Sequence, residues 1–122
     1  KTVLPIKISK GDAAGMLFQR DDATATTHAD GHQTVSVTSM ASSDGKFYSG
    51  MYRSSKTRFE ISEPYGVDEL MYFLSGSVTL TSTDGSVMTV HAGEAITMPK
   101  EWIGTFDTDG FEKIWVIHSS DD

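Results

Sequence analysis

The chain has 122 residues, with 17 Asp or Glu against 10 Lys or Arg, for a formal net charge of −7. That length gives room for one hydrophobic core burying roughly two thirds of the unfolded surface, and the acidic balance argues against a nucleic-acid partner, which selects for a basic footprint. With no cysteine there is neither a disulfide framework nor a thiolate metal site, and no apolar run is long enough to span a membrane. No secretory leader is visible, and the chain opens on Lys1, as a trimmed chain would; the expected compartment is the cytoplasm, with no membrane partner.

No helical period runs far. Short stretches bounded by Gly, Asp, Ser and Pro read instead as strands, at residues 4–8, 34–38, 47–54, 57–62, 68–75, 77–83, 86–91, 95–98, 104–108 and 111–117. Residues 11–30 carry no strand pattern and read as a loop with one helical turn at 13–19. Asp84-Gly85 between alternating runs predicts a two-residue type I′ hairpin, which sets His91 opposite Val78. Asp121-Asp122 reads as a frayed end. Many short, closely spaced strands indicate a sandwich or barrel.

Strand side chains alternate between faces, so Glu69, Met71 and Phe73 share one face and Tyr72 takes the other. Two apolar residues beside one carboxylate suit a barrel interior with a polar mouth. Lys46, Arg53, Lys56 and Arg58 lie close together with no acid among them; they form either a solvated face or, if Arg53 or Arg58 points inward, an anion pocket. His28 and His32 have i, i+4 spacing, which serves a metal only on a helix. Asp30 and Gly31 argue for a loop, so both histidines read as solvent-exposed. There is neither a nucleophile elbow nor a phosphate-cradling glycine motif.

Glu69 followed after six residues by Gly76, and Gly93 followed after five by Pro99, resemble the two signature motifs of the cupin superfamily, stripped of their histidines. Gly50-Met51-Tyr52, Phe59, Asp84-Gly85, Trp102-Ile103-Gly104-Thr105-Phe106 and Glu112-Lys113-Ile114-Trp115 extend the resemblance. They point to a subgroup of unknown function that includes the ethanolamine-utilisation Q protein and is related to ureidoglycine aminohydrolase domains. Tyr52 and Phe106 stand where that subgroup usually has Trp, and Glu101 where it has Gly. Trp115 replaces a usual Tyr, which removes any role for that hydroxyl.

The resemblance implies an all-β fold, a small antiparallel double-stranded β-helix (the cupin or jelly-roll barrel). It implies one domain over residues 1–122, with the motif-bearing barrel at 46–118 and N-terminal strands and a loop at 1–45. It implies a homodimer that exchanges residues 4–8, where Pro5 suits an edge strand. The histidine positions of the first motif fall on Ser62 and Pro64, or on Glu63 and Tyr65; that of the second falls on Gly104. Of the usual four metal ligands only Glu69 remains, and a transition metal wants three or four. A divalent metal (Mn, Fe, Ni or Zn) would therefore sit at Glu69, if anywhere, with Glu63 and a tyrosine for company.

The implied site is a small-molecule cavity around Glu69. Glu69 and Lys113 are the catalytic candidates, although Lys113 beside Glu112 also reads as a structural ion pair closing one end of the barrel. Arg53 and Arg58 would hold an anionic group, and Tyr65, Met71, Phe73, Trp102, Phe106 and Trp115 would contact the ligand. The expected function is an enzyme acting on a small polar nitrogen- or carboxylate-containing metabolite. The alternative is a non-catalytic ligand-binding or accessory dimeric protein that has lost the metal histidines.

Overall fold

The computed structural model describes residues 2–120; Lys1 and the Asp121-Asp122 end lie outside the described residues. A single helical turn, α1 (Lys10–Ala13), is closed by a reciprocal cap in which Ser9 Oγ accepts from the Asp12 amide and Asp12 Oδ2 from the Ser9 amide, each at 3.0 Å. A short 3₁₀ turn follows at Met16–Gln19. The rest is antiparallel sheet: β1 (Thr24–Thr27), β2 (Gln33–Ala41), β3 (Phe47–Ile61), β4 (Asp68–Ser82), β5 (Val87–His91), β6 (Ala95–Met98) and β7 (Gly104–His118). The order is β1-β2-β3-β7-β4-β5, with β6 also paired to β4. This is the architecture of the cupin jelly roll. No described helix is long and apolar enough to cross a membrane.

Three strands of 15 residues each, β3, β7 and β4, lie side by side and form the frame. Each covers what the sequence divides into two strands. The dividing points fall on one line across the sheet, because Ser55 pairs with Gly110, and Gly76 and Ser77 pair with Phe111 and Gly110. Gly76 has φ 75° and Gly110 φ 129°, and a Cβ on Gly76 would stand 2.0 Å from the Gly110 carbonyl oxygen. Only glycine permits both that dihedral and that approach. The punctuation that reads as chain breaks is thus a shared bend that curls the sheet.

The bend also resets which side chains face inward. Tyr52 and Ser54 before it, then Thr57 and Phe59 after it, line the interior from β3; Phe106, then Phe111 and Lys113, do so from β7. Inside, Met71, Phe73, Val78, Leu80, Val90, Met98, Phe106 and Phe111 form one buried cluster. A second cluster on the other side joins Val37 and Met51 to Leu17 and Phe18 of the 3₁₀ turn, so the N-terminal segment seals the outer face of β2 and β3. Glu69, Met71 and Phe73 are buried and Tyr72 is exposed, as alternation requires.

Three local expectations change. Residues 4–8 form no strand; Val3, Leu4 and Ile6 are 92%, 71% and 60% exposed, and among the described residues no strand edge pairs with them. Within the segment read as a loop lies β1, hidden because all four of its residues are exposed and show no alternation. At Asp84-Gly85 the turn is one residue longer than expected: the Ser82 amide donates to Ser86 O at 2.8 Å and the Gly85 amide to Ser82 O at 2.9 Å. This three-residue loop, with Gly85 at φ 88°, shifts the register so that His91 faces Ser77 rather than Val78.

Candidate functional site

The curled sheet encloses a cavity of about 460 Å³, within the size range of small-molecule sites. One wall carries hydroxyls, Ser36 and Thr38 from β2 and Ser54 and Thr57 from β3. Another is aromatic, with Tyr52 and Phe59 from β3 and Phe106, Phe111 and Trp115 from β7. Exposed Thr38 and Phe59 mark the mouth, and buried Glu69, Lys113 and Trp115 the floor.

The floor holds a buried ion pair. Lys113 Nζ donates to Glu69 Oε2 at 2.9 Å, and the two side chains are 8% and 4% exposed. Tyr65 Oη donates to Glu69 Oε1 at 2.5 Å, in the short range of bonds to an ionised oxygen. Tyr52 and Phe111 present ring centroids 5.4 Å and 5.6 Å from Nζ, which favours the ammonium. Burial acts the other way and is the larger influence on Lys113, whose pKa is lowered despite the opposing pull of Glu69. Burial, reinforced by the Glu69 carboxylate, pushes the Tyr65 phenol far above its ordinary value, so Tyr65 remains a hydrogen-bond donor.

Tyr65 owes its position to backbone bonds between two loops. Its amide donates to Trp102 O at 3.0 Å, the Gly66 amide to Lys100 O at 2.8 Å, and the Lys100 amide to Asp68 Oδ1 at 2.9 Å. The turn after Pro99 therefore holds the phenol over Glu69. Trp102 itself contributes a carbonyl here, while its indole donates to Ser82 Oγ at 3.0 Å and lines a separate cavity of about 230 Å³.

The structure thus brings together Glu69, Lys113, Tyr65, Phe106 and Trp115. Met71 and Phe73 share the face of Glu69 but are fully buried in the inner core and do not line the cavity. Neither Arg53 nor Arg58 lines it. Arg53 lies over the Phe18 ring at 4.6 Å and 3.7 Å from Glu112, and Arg58 lies 3.8 Å from Asp107. Both acids are the register partners of those arginines on β7. The basic run of β3 is therefore matched by acids of its neighbour strand, Lys56 to Asp109 included at 3.2 Å, and supplies no inward anion pocket.

The sequence gives no warning of His32. It reads as exposed, yet its side chain is 12% exposed and lines the cavity. Asp30 Oδ1 is hydrogen-bonded to His32 Nδ1, and Asp30 also accepts from the His32 amide at 3.0 Å and from Thr57 Oγ1 at 2.7 Å. His28 stacks on His32 with ring centroids 4.1 Å apart and contacts Thr34 Oγ1 at 2.8 Å. The bond from Asp30 to Nδ1 fixes the orientation of the His32 ring. Only the turn from β1 to β2, which sequence alternation cannot show, brings these groups to the cavity.

A divalent metal does not suit this donor set. Both Glu69 oxygens already accept hydrogen bonds, one from a lysine 2.9 Å away, and an ammonium there repels a cation. Among the described residues no three His, Cys, Asp or Glu side chains converge as a metal site would need.

Comparison with known proteins agrees with the fold. A family model described as a EutQ-like cupin domain matches residues 41–114. A DUF861-family protein of unknown function from Pseudomonas syringae superposes with a TM-score of 0.69 at 19% identity, over 78% of this chain but only 43% of that one. The Clostridium difficile EutQ protein gives 0.64 at 21% identity over 80% of this chain and 76% of its own. The cupin domain of Schizosaccharomyces pombe Cnp3 gives 0.60 at 6% identity, over 81% and 70% respectively, a likeness of fold alone. No curated protein matches the chain.

The carboxylate that anchors His32 titrates in a definite direction. The Thr57 hydroxyl, then His32, holds the Asp30 carboxyl well below its ordinary value of 3.8. A carboxyl whose folded value is depressed contributes stability that is present above 3.8 and lost as pH falls through the folded value. Thermal melts should therefore show wild type above Asp30→Asn at neutral pH, with the gap closing in acid; a gap independent of pH would contradict this assignment.

Proposed function

Because the chain belongs to the EutQ-like cupin family, we propose that its barrel cavity binds a small polar metabolite and acts on it by acid–base chemistry at Glu69 and Lys113. The observation that carries this reading is the chain Tyr65–Glu69–Lys113 on the floor of a cavity of about 460 Å³. Glu69 is the group that takes or returns a proton. Lys113 donates to an oxygen on which negative charge develops, and Tyr65 holds the carboxylate in place. Of the two substrate classes the sequence suggests, a nitrogen-containing one fits better. The positive charge of Lys113 is already matched by Glu69, and Arg53 and Arg58 lie elsewhere, so a carboxylate ligand would find no unmatched partner. The same cavity without turnover would make the protein a binding module.

A thermal-shift screen of polar metabolites tests the site. A ligand at ~100 times its Kd adds about 2.7 kcal/mol, a rise on the order of 10 °C. The rise should vanish in Ser36→Phe, which fills the cavity from β2, while circular dichroism shows that variant still folded. A screen in which no compound shifts wild type, or in which every active compound shifts both proteins equally, would defeat the reading. Turnover of an active compound, lost in Glu69→Gln, would separate the enzyme from the binding module.

A second proposal concerns assembly. The exposed Val3, Leu4 and Ile6 find no strand partner among the described residues, and a second copy offering a free sheet edge would cover them. Light scattering should give a dimeric mass for the whole chain and a monomeric mass for one starting after Ile8. A monomer in both cases removes the proposed dimer.

A further inference from the structure

We propose that Lys113 is a carbonyl-trapping amine: its Nζ condenses with a small neutral aldehyde or ketone admitted to the barrel cavity and forms an imine. This rests on one part of the reading above, that the cavity admits a small molecule; it makes Lys113 the nucleophile with Glu69 as its proton shuttle, and names the substrate class as a carbonyl compound, with or without nitrogen elsewhere in it. Three features of the floor carry it. Lys113 is the one lysine among the described residues lining the cavity. Its amine makes one hydrogen bond, to Glu69 Oε2 at 2.9 Å, with a carboxylate placed to shuttle protons. Tyr52 and Phe111 flank the nitrogen with ring centroids at 5.4 Å and 5.6 Å, so a cationic adduct would remain between aromatic faces.

The chemistry closes without any further reactant. A proton passes from the ammonium to Glu69 Oε2, freeing the nitrogen lone pair. The lone pair attacks the carbonyl carbon, the C=O π pair moves to oxygen, and a proton transfers from nitrogen to that oxygen, giving a carbinolamine. Glu69 then returns its proton to the hydroxyl; the C–O bond breaks, water leaves, and the nitrogen lone pair closes the C=N bond. Two ammonium hydrogens and the carbonyl oxygen depart as one water. The product is an iminium, so the charge facing Glu69 is the same at the end as at the start.

That conservation of charge selects a carbonyl compound over an anion. Besides Lys113, the acidic and basic side chains of the lining are Glu69 and His32. An anionic ligand would leave its charge uncompensated, whereas imine formation keeps the floor pair intact. Burial also lowers the Lys113 pKa, which raises the share of neutral, nucleophilic amine over that of a solvated lysine. The aromatic wall of Phe59, Phe106 and Trp115 suits the apolar part of such a molecule.

The test is reductive trapping. The full chain is incubated near neutral pH with benzaldehyde or propionaldehyde and sodium cyanoborohydride, then read by intact mass and peptide mapping, with the α-amino group counted separately. The expected result is near-stoichiometric label at Lys113, ahead of exposed Lys7, Lys10 and Lys56, and no preferred lysine in Lys113→Met or in urea. Mapping locates the label in wild type, so the result does not hinge on that variant's folding. A purely structural ion pair would make Lys113 the slowest lysine to react, and label spread over the exposed lysines with Lys113 untouched overturns the proposal. If Lys113 stays untouched while a non-carbonyl compound still raises the melting temperature of wild type and not of Ser36→Phe, the imine alone fails. If no compound does so, the cavity reading fails with it.

Discussion

A lysine ammonium and a glutamate carboxylate that have both left water must meet, and the inner architecture of this barrel is arranged so that they do. Taking either ion out of water costs several kcal/mol, and only close, hydrogen-bonded geometry recovers it. Lys113 and Glu69 stand 2.9 Å apart with almost no exposure, and Tyr65 takes the remaining carboxylate oxygen. Among the described residues no buried side-chain polar atom lacks a partner. The cavity floor is therefore polar and charge-balanced.

The meeting of two residues 44 positions apart follows from the antiparallel pairing of β4 with β7, and the bend closes the sheet around them. Gly76 and Gly110 abut where β4 and β7 pair, and Ser55 of β3 pairs with Gly110 across the other edge. Below the bend Glu69, Tyr52 and Lys113 converge; above it Phe106 and Phe59 stack with centroids 5.2 Å apart and close the aromatic wall. A flat sheet of the same strands would hold the same pairs but enclose nothing. The outer face needs a different cover, and the 3₁₀ turn supplies it by setting Leu17 and Phe18 against Val37 and Met51.

Much of this was legible in the residues. Alternation through Glu69, Met71 and Phe73 shows a carboxylate on an apolar face, and the spacing of Glu69, Gly76, Gly93 and Pro99 points to the cupin barrel. What alternation cannot show is continuity. The glycines at 76 and 110 look like ends of strands but are corners within them, and inward-facing parity changes at each. Sequence reading also misplaces charge. Arg53 and Arg58 look unmatched along β3 because their acids, Glu112 and Asp107, lie on a strand some fifty residues later that is adjacent only in space. His32 was invisible for the opposite reason: the polar, exposed strand β1 that delivers it has no hydrophobic signature. Alternation sets Met71 and Phe73 on the inner face, but depth along that face separates core from cavity, and no single-sequence pattern encodes depth.

The central claim is that Lys113 and Glu69 form one coupled buried pair, and a double-mutant cycle measures that coupling directly. Urea unfolding of wild type, Lys113→Met, Glu69→Leu and the double variant is the measurement. Each single change strands the opposite charge in the interior and should cost about 3–5 kcal/mol. The double variant removes both charges and should cost far less than the sum, since an apolar pair of similar volume replaces a buried ion pair at little loss. Single effects that add to within about 0.5 kcal/mol would mean that the two groups do not interact in the folded protein, and would contradict the pair on which the proposed acid–base site rests.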